Sequence, residues 1–422
     1  MSSAKSSLRI AVIGGGISGL FAALSLHYHC GSQVSIDIYE QASQYKEIGA
    51  GVGIGVNAVK LLDKIGLGER VAAISGDRNG VWISFRRFDD NAEIITVPAV
   101  EGKVRQCSVH RAEFLDILLA AIKERGAARL WTNKQCRSIS NNGSDVTVHF
   151  VDNTSSTADL VIGCDGIHSV IRSQYIVDKP QYSGRIAYRG LVPIERLKPW
   201  WPFPSYSASW LGIDKHFLAY PISKNDTLNI VAFVTEDESP LDGLQESWTA
   251  TATRGELASK FADFSPTVRG IIEKMPQLPT KWLLNDREQI HQWVFEGGRV
   301  VLMGDAAHAM LPHQGTGAGQ SIEDGYVLSR AIQDYLQRQP RRTLEAYTQL
   351  YQQVRLPRVQ RAQETSRQAG HVYEMQTSEM VGLSYDDCLP IVCEQLKDRM
   401  KWVWNENLDE AYERARSVGI DN

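Results

Sequence analysis

Nowhere in the 422 residues is there an uninterrupted apolar stretch of about 18, the length a helix needs to cross a bilayer, so no membrane span is expected. The first apolar strand begins at Leu8 behind a short polar segment, and no secretory signal is visible. Runs of lysine and arginine are missing too. With a net charge of −4 and a pI near 6.2, the chain is not expected to bind nucleic acid. The six cysteines (Cys30, Cys107, Cys136, Cys164, Cys388 and Cys393) include no C-x-x-C pair, and a chain this long needs no covalent staples. Reduced, structural thiols, no metal site and a cytoplasmic location follow as expectations. What is present is ordinary for a globular protein: 43% hydrophobic and 22% charged residues, in a length suited to two or three domains.

Glycine is plentiful and clustered. The stretch Gly298 to Leu336, GRVVLMGDAAHAMLPHQGTGAGQSIEDGYVLSRAIQDYL, opens with a buried-strand run at Val300 to Met303. It continues through the Gly304-Asp305 turn to a loop with His308, Pro312 and His313, and then to Gly315, Gly317 and Gly319. Ile322, Tyr326, Ile332 and Leu336 follow at helical spacing. A glycine-rich loop feeding a helix start brings backbone N–H groups and a positive dipole end close to an anion. At the other end of the chain, Leu8–Ile13 runs into Gly14-Gly15-Gly16-Ile17-Ser18-Gly19, a G-x-G-x-x-G pattern. A helical face and a second strand, Val34–Tyr39, lead to Glu40, 21 residues beyond Gly19. That order predicts a dinucleotide with its pyrophosphate over the helix start and Glu40 accepting from a ribose diol. The motif alone leaves NAD and FAD open.

Between these ends, Glu47 to Lys60 is again dense in glycine, with Asn57 placed to cap a helix. A β-rich interval spans Val81 to Val100, and Ser108-Val109-His110-Arg111 leads into a helix. A cation at Arg111, in the first turn, opposes the dipole, so either an anionic ligand or a salt bridge to Glu113 or Asp116 is expected there. Asn142-Gly143 marks a hairpin, and Leu160-Val161-Ile162 runs into Gly163-Cys164-Asp165-Gly166. Tyr182 to Leu284 is rich in β formers and aromatics; alternation places His216, Leu218 and Tyr220 on one face, with Arg189 of AYRG in the same layer. Residues 341–422 read as mainly helical, with Asp409 to Arg416 as a solvated charged face.

Three separated motifs, GGGISG with Glu40, IGCDGIHSVIR, and VVLMGDAAHAMLPHQGTGAGQ, resemble those of the group A flavoprotein aromatic hydroxylases, the p-hydroxybenzoate hydroxylase family. GAGVGIGVNAVK, SVHRAEFLDIL, AYRG and the tail KWVWNENLDEAYERAR are similar to the subgroup of salicylate hydroxylases and their fungal relatives. The resemblance implies an α/β fold: a discontinuous Rossmann-like FAD domain (1–80, 107–180 and 285–340), an inserted antiparallel substrate sheet (81–106 and 181–284) and a C-terminal helical region (341–422). It implies non-covalent FAD, NADH or NADPH as co-substrate, O2, a phenolic substrate, and a monomer or homodimer. Gly14, Gly16, Ser18, Gly19, Glu40, Arg111, Asp165, Gly166, Asp305, Pro312, Gly315 and Gly317 would bind FAD. His313, His216, Arg189 and Tyr220 would line the substrate site, with a histidine as proton relay and Arg189 as anion anchor. The implied reaction is hydroxylation by a flavin C4a-hydroperoxide, with salicylate giving catechol and CO2. Hydroxylation of a polyketide phenol without CO2 loss, or a flavin-binding regulator without catalysis, are the alternatives. The tail lacks the Ile-Pro that completes the flavin halogenase W-x-W-x-I-P pattern after Trp402 and Trp404.

Overall fold

Two large sheets built from interleaved parts of the chain border one cleft in the computed structural model, which describes residues 7–45, 50–102, 104–236, 250–338 and 342–420. Gly49 of the second glycine-dense stretch, and part of 181–284, lie outside the described residues. The first sheet has the strand order Val294–Phe295, Val300–Leu302, Leu160–Gly163, Leu8–Ile13, Val34–Tyr39 and Arg129–Trp131. It is parallel except at Val294–Phe295. Helices Ile17–Cys30 and Gly317–Gln337 pack on each other beside it, joined by a 2.7 Å hydrogen bond between Ser25 and Ser329. Its central strands Leu160–Gly163 and Val300–Leu302 are buried along their whole length, and Leu8–Ile13 is buried except at Arg9, a near-continuous apolar run rather than an alternating one.

The second sheet, mostly antiparallel, has the order Thr280–Asp286, Gln181–Pro193, Thr227–Thr235, Lys215–Ile222, Ala208–Gly212, Val81–Arg87 and Glu93–Pro98. Helices Arg254–Lys260 and Pro266–Lys274 cover one face through an aromatic core with Trp210, Phe217, Phe261 and Phe264. A short ladder, Gly51–Ile54 against Cys107–His110, contacts this sheet through Gly51, whose N–H donates to Asn229 at 2.7 Å.

Helix Leu344–Tyr373 runs from the first sheet to the second. Tyr351 donates to the Leu302 carbonyl at 3.1 Å near one end, while Val372 and Tyr373 pack beside Phe85 at the other. Midway it carries Arg355 and Arg358, which face Glu323 and Asp324 of helix Gly317–Gln337. Arg355, Glu323 and Asp324 are fully buried. Arg355 bonds Asp324 at 2.8 Å and also pairs with Glu323, which accepts from Arg358 at 2.7 Å. The second Asp324 oxygen accepts from the Gly304 backbone at 3.1 Å and bonds His308 at 2.6 Å.

Two local expectations are corrected. Gly55, not Asn57, is the N-cap of helix Val56–Lys64; Asn57 lies in its first turn and donates to Glu323 at 2.5 Å. The tail helix Leu408–Gly419 is not simply a solvated face. Tyr412 is buried, and Asp409 pairs with Lys64, with Arg330 at 2.5 Å and with the Tyr326 hydroxyl at 2.6 Å.

Candidate active site

Between the sheets runs a cleft with a cavity of about 620 Å³, within the range of cofactor sites. The end under the Gly14–Gly19 turn is made of backbone. Gly14 has φ +109°, and a Cβ there would lie 2.2 Å from the Cys164 carbonyl, so only glycine lets strand Leu8–Ile13 turn against the end of Leu160–Gly163. Helices Ile17–Cys30 and Gly317–Gln337 both begin without a side-chain cap, and Gly16, Ser18, Gly317 and Ser321 border the cleft. Their starting N–H groups are therefore available to an anion. Glu40 borders the same end, its carboxylate accepting from the N–H of Gly15 at 2.7 Å and of Ala42 at 2.8 Å. An ionised carboxylate has capacity left for a diol.

Further along lie Arg111, Asp165, Gly166 and Asp305. Burial pulls the Arg111 guanidinium below its usual value, and the nearby Asp305 partly restores it. Asp165 serves its own loop, accepting from Ser169 at 2.5 Å and from the Val170 N–H at 2.8 Å at the start of helix Val170–Tyr175. Gly19 packs within the turn and is not part of the cleft wall, since a Cβ there would lie 2.1 Å from the Gly14 carbonyl.

At the far end the cleft meets a smaller cavity of about 100 Å³; Gly53, Arg189, Tyr220, Val231, Pro312 and Gly315 wall both. Phe85, Leu218, Phe233 and Tyr373 make the small cavity apolar, and no aspartate or glutamate lines it among the described residues. Its cations are Arg78, Arg189 and Arg399. The Arg189 guanidinium stacks over Trp282 at 3.9 Å, its Nε has no hydrogen-bond partner, and burial pulls its pKa down to about 10. Arg78 is oriented by the Trp82 carbonyl at 2.8 Å and the Ser108 hydroxyl at 3.2 Å. Burial pushes the Tyr220 hydroxyl up in pKa, opposed by both arginines.

His313 lines the small cavity from the Pro312–Gln314 turn, with neither ring nitrogen hydrogen-bonded. Gly370 of the long helix backs it so closely that a Cβ would lie 2.8 Å from the ring. Burial, reinforced by His216, keeps the His313 imidazole well below the ordinary histidine value. Of the four expected pocket residues, Arg189, Tyr220 and His313 line the small cavity. His216 does not. It shares a strand face with Leu218 and Tyr220, but the Phe233 ring stacks on it at 4.2 Å and its Nδ1 bonds Glu374 at 2.9 Å. Sequence reading missed Arg78 from a loop, Trp82 from strand Val81–Arg87, Tyr373 and Glu374 from the end of the long helix, and Arg399 from the turn between helices Tyr385–Leu396 and Lys401–Trp404.

A glycine turn, two uncapped helix starts and a sheet beside a small apolar cavity make a cleft suited to a dinucleotide at one end. The model of the FAD binding domain family matches residues 7–366. Salicylate hydroxylase of Pseudomonas putida is 35% identical over 99% of this chain and 96% of its own length. The 6-methylsalicylate 1-monooxygenase of Aspergillus terreus is 32% identical over 98% of this chain and 92% of its own. Among solved structures, a salicylate hydroxylase substrate complex superposes with a TM-score of 0.83 at 32% identity, covering 98% of both chains. The chain belongs to the FAD binding domain family and is an FAD-dependent aromatic monooxygenase. The cleft fits FAD in size and in its donor set of uncapped helix starts beside Glu40 and Arg111.

Proposed function

We propose that the protein hydroxylates a small phenol bearing an ortho carboxylate, with salicylate converted to catechol and CO2 at the expense of NAD(P)H and O2. The observation that carries this reading is the small cavity: about 100 Å³, apolar walls, arginines and no carboxylate among the described residues. An engineered apolar cavity of roughly 150 Å³ holds benzene, so a space of this order is on the scale of a single ring. A buried anion needs a paired cation, and a planar guanidinium suits a carboxylate.

In this reading Glu40 and the first helix start hold the nucleotide, Arg111 and Asp305 the middle of the cofactor, and the N–H groups after Pro312 the flavin end. Bound FAD, reduced by NAD(P)H and supplied with O2, provides the electrophilic oxygen. Arg189 pairs with the substrate carboxylate, and Tyr220 hydrogen-bonds the phenol oxygen or its neighbour. His313, kept neutral by its surroundings, accepts the phenol proton at a ring nitrogen, with His216 one layer behind. Loss of that proton pushes charge into the ortho carbon that is attacked. Val231, Leu218 and Phe233 keep water from the reacting ring.

Carboxyl-labelled salicylate and 6-methylsalicylate, incubated with the FAD-loaded protein, NADH or NADPH and O2, test the proposal. One labelled CO2 per reduced nicotinamide oxidised is expected. Phenol-stimulated O2 uptake without labelled CO2 would establish the polyketide-type alternative, and no stimulated NAD(P)H oxidation by any phenol would leave the regulator.

A further inference from the structure

Behind the small cavity lies a group of charges that the chemistry above does not use. Glu374, at the end of helix Leu344–Tyr373, is fully buried and holds three donors. One oxygen bonds His216 Nδ1 at 2.9 Å; the other accepts from Arg185 Nε at 2.8 Å and from the Thr235 hydroxyl at 2.7 Å. Arg185 reaches outward to Gln376 at 2.6 Å and His371 at 3.3 Å. On its faces His216 meets Phe233 at 4.2 Å, the Tyr373 ring at 5.3 Å and the His313 ring at 5.5 Å. The groups facing it are thus Glu374, His371 and Tyr373 from the long helix and its end, Arg185 from strand Gln181–Pro193, and His313 from the cavity turn.

An ionised carboxylate only accepts, so the proton it receives from His216 sits on Nδ1. In a neutral ring Nε2 is then a bare acceptor. Arg185 cancels the Glu374 charge, so the carboxylate orients the imidazole without forcing it to become imidazolium. Burial alone would raise the Glu374 pKa, but His216 and Arg185 draw it down to about 2, so the carboxylate stays ionised across the working range. The arrangement has the form of a carboxylate–histidine pair damped by a guanidinium.

We propose that Glu374 is a positioning residue for the proton relay: it fixes His216 as the Nδ1-protonated neutral tautomer, and Arg185 sets how basic that ring is. The proposal rests on the reading of His313 and His216 as the relay, and its test separates the two. Ring-nitrogen NMR of FAD-loaded protein labelled with 15N-histidine reports tautomer and titration without turnover. His216, assigned by its loss in His216→Gln, is expected to carry its proton on Nδ1 and to stay neutral below the ordinary histidine range.

Glu374→Gln keeps the shape and removes the charge, so the His216 pKa should fall. Arg185→Met leaves the carboxylate unopposed, so it should rise, each by about 1–3 pH units. A merely structural role would not move the two in opposite directions. An Nε2-protonated ring in the unmodified protein overturns the proposal even where a variant fails to fold, and so does an unchanged titration in both folded variants. Salicylate-dependent NADH oxidation tests the underlying reading separately. If His216→Gln turns over at the unmodified rate while the NMR shifts appear, the relay is wrong and the positioning of His216 stands.

Discussion

The two ends of the cleft solve different problems with different materials. The nucleotide end is backbone: uncapped helix starts, a tightly turned Gly14 and one carboxylate at Glu40. The ring end is side chain, gathered from a loop at Arg78, the sheet at Arg189 and Tyr220, the turn at His313 and the tail at Arg399. A substitution cannot remove a backbone donor, so the first end yields mainly where glycine is replaced or Glu40 is lost. At the second end the proposed roles belong to separate side chains, and the two ends should therefore fail independently.

The largest test of that independence is His313→Ala. Loss of a general base costs about 10²–10⁴ in rate, so hydroxylation should fall by that factor while the protein stays yellow with bound FAD. If flavin is lost together with activity, the ends are not separable. Arg189→Lys comes next: losing the guanidinium fork should raise the salicylate KM roughly 10- to 150-fold, with FAD affinity unchanged by flavin titration. Glu40→Ala should do the reverse, weakening FAD about 5- to 150-fold and leaving the salicylate KM of the saturated enzyme alone. An increase in KM there would mean that Glu40 reports on the ring end as well.

The smallest effect is on stability. Burial holds His313 and His216 below the ordinary value of 6.5, so under that pH the unfolded chain takes up protons that the folded one refuses. Stability is then fully present above about pH 6.5 and declines as pH falls below it. Thermal melts from pH 8 to 5 should show this decline, and His313→Gln should flatten it. An unchanged slope in His313→Gln would mean that this ring does not contribute.

The same contrast explains what could be read from the chain alone. GGGISG with Glu40, IGCDGIHSVIR and the Gly304–Gly319 loop are contiguous, and contiguous motifs carry their geometry with them. Strand alternation put His216 on the face of Leu218 and Tyr220, yet alternation says nothing about how far a cavity extends along a strand, and Phe233 closes it first. Glu374 caps a helix and Arg399 sits in a turn between helices, and the meaning of both depends on where a distant sheet lies. Asn57 looked like a cap because asparagine near a helix start usually is one, whereas a buried acid on another helix claimed it. Helices Arg254–Lys260 and Pro266–Lys274 did leave a trace: Thr253 and Ser265 are N-caps, the latter just before Pro266. Their β-forming neighbours masked it.

The buried quartet of Glu323, Asp324, Arg355 and Arg358 also sets an order of assembly. During synthesis the glycine loop and its helix emerge before the long helix that carries both arginines. Until those arginines arrive, Glu323 has only the Asn57 amide and Asp324 only His308 and the Gly304 N–H, and burying both carboxylates then costs several kcal/mol. Asp324 also holds the Gly304 N–H and His308, so the turn before Asp305 hangs on the same carboxylate that Arg355 fixes. A chain truncated before residue 344 is therefore expected to carry every glycine motif of the cofactor site and yet to bind FAD more weakly than the full chain, which flavin titration checks.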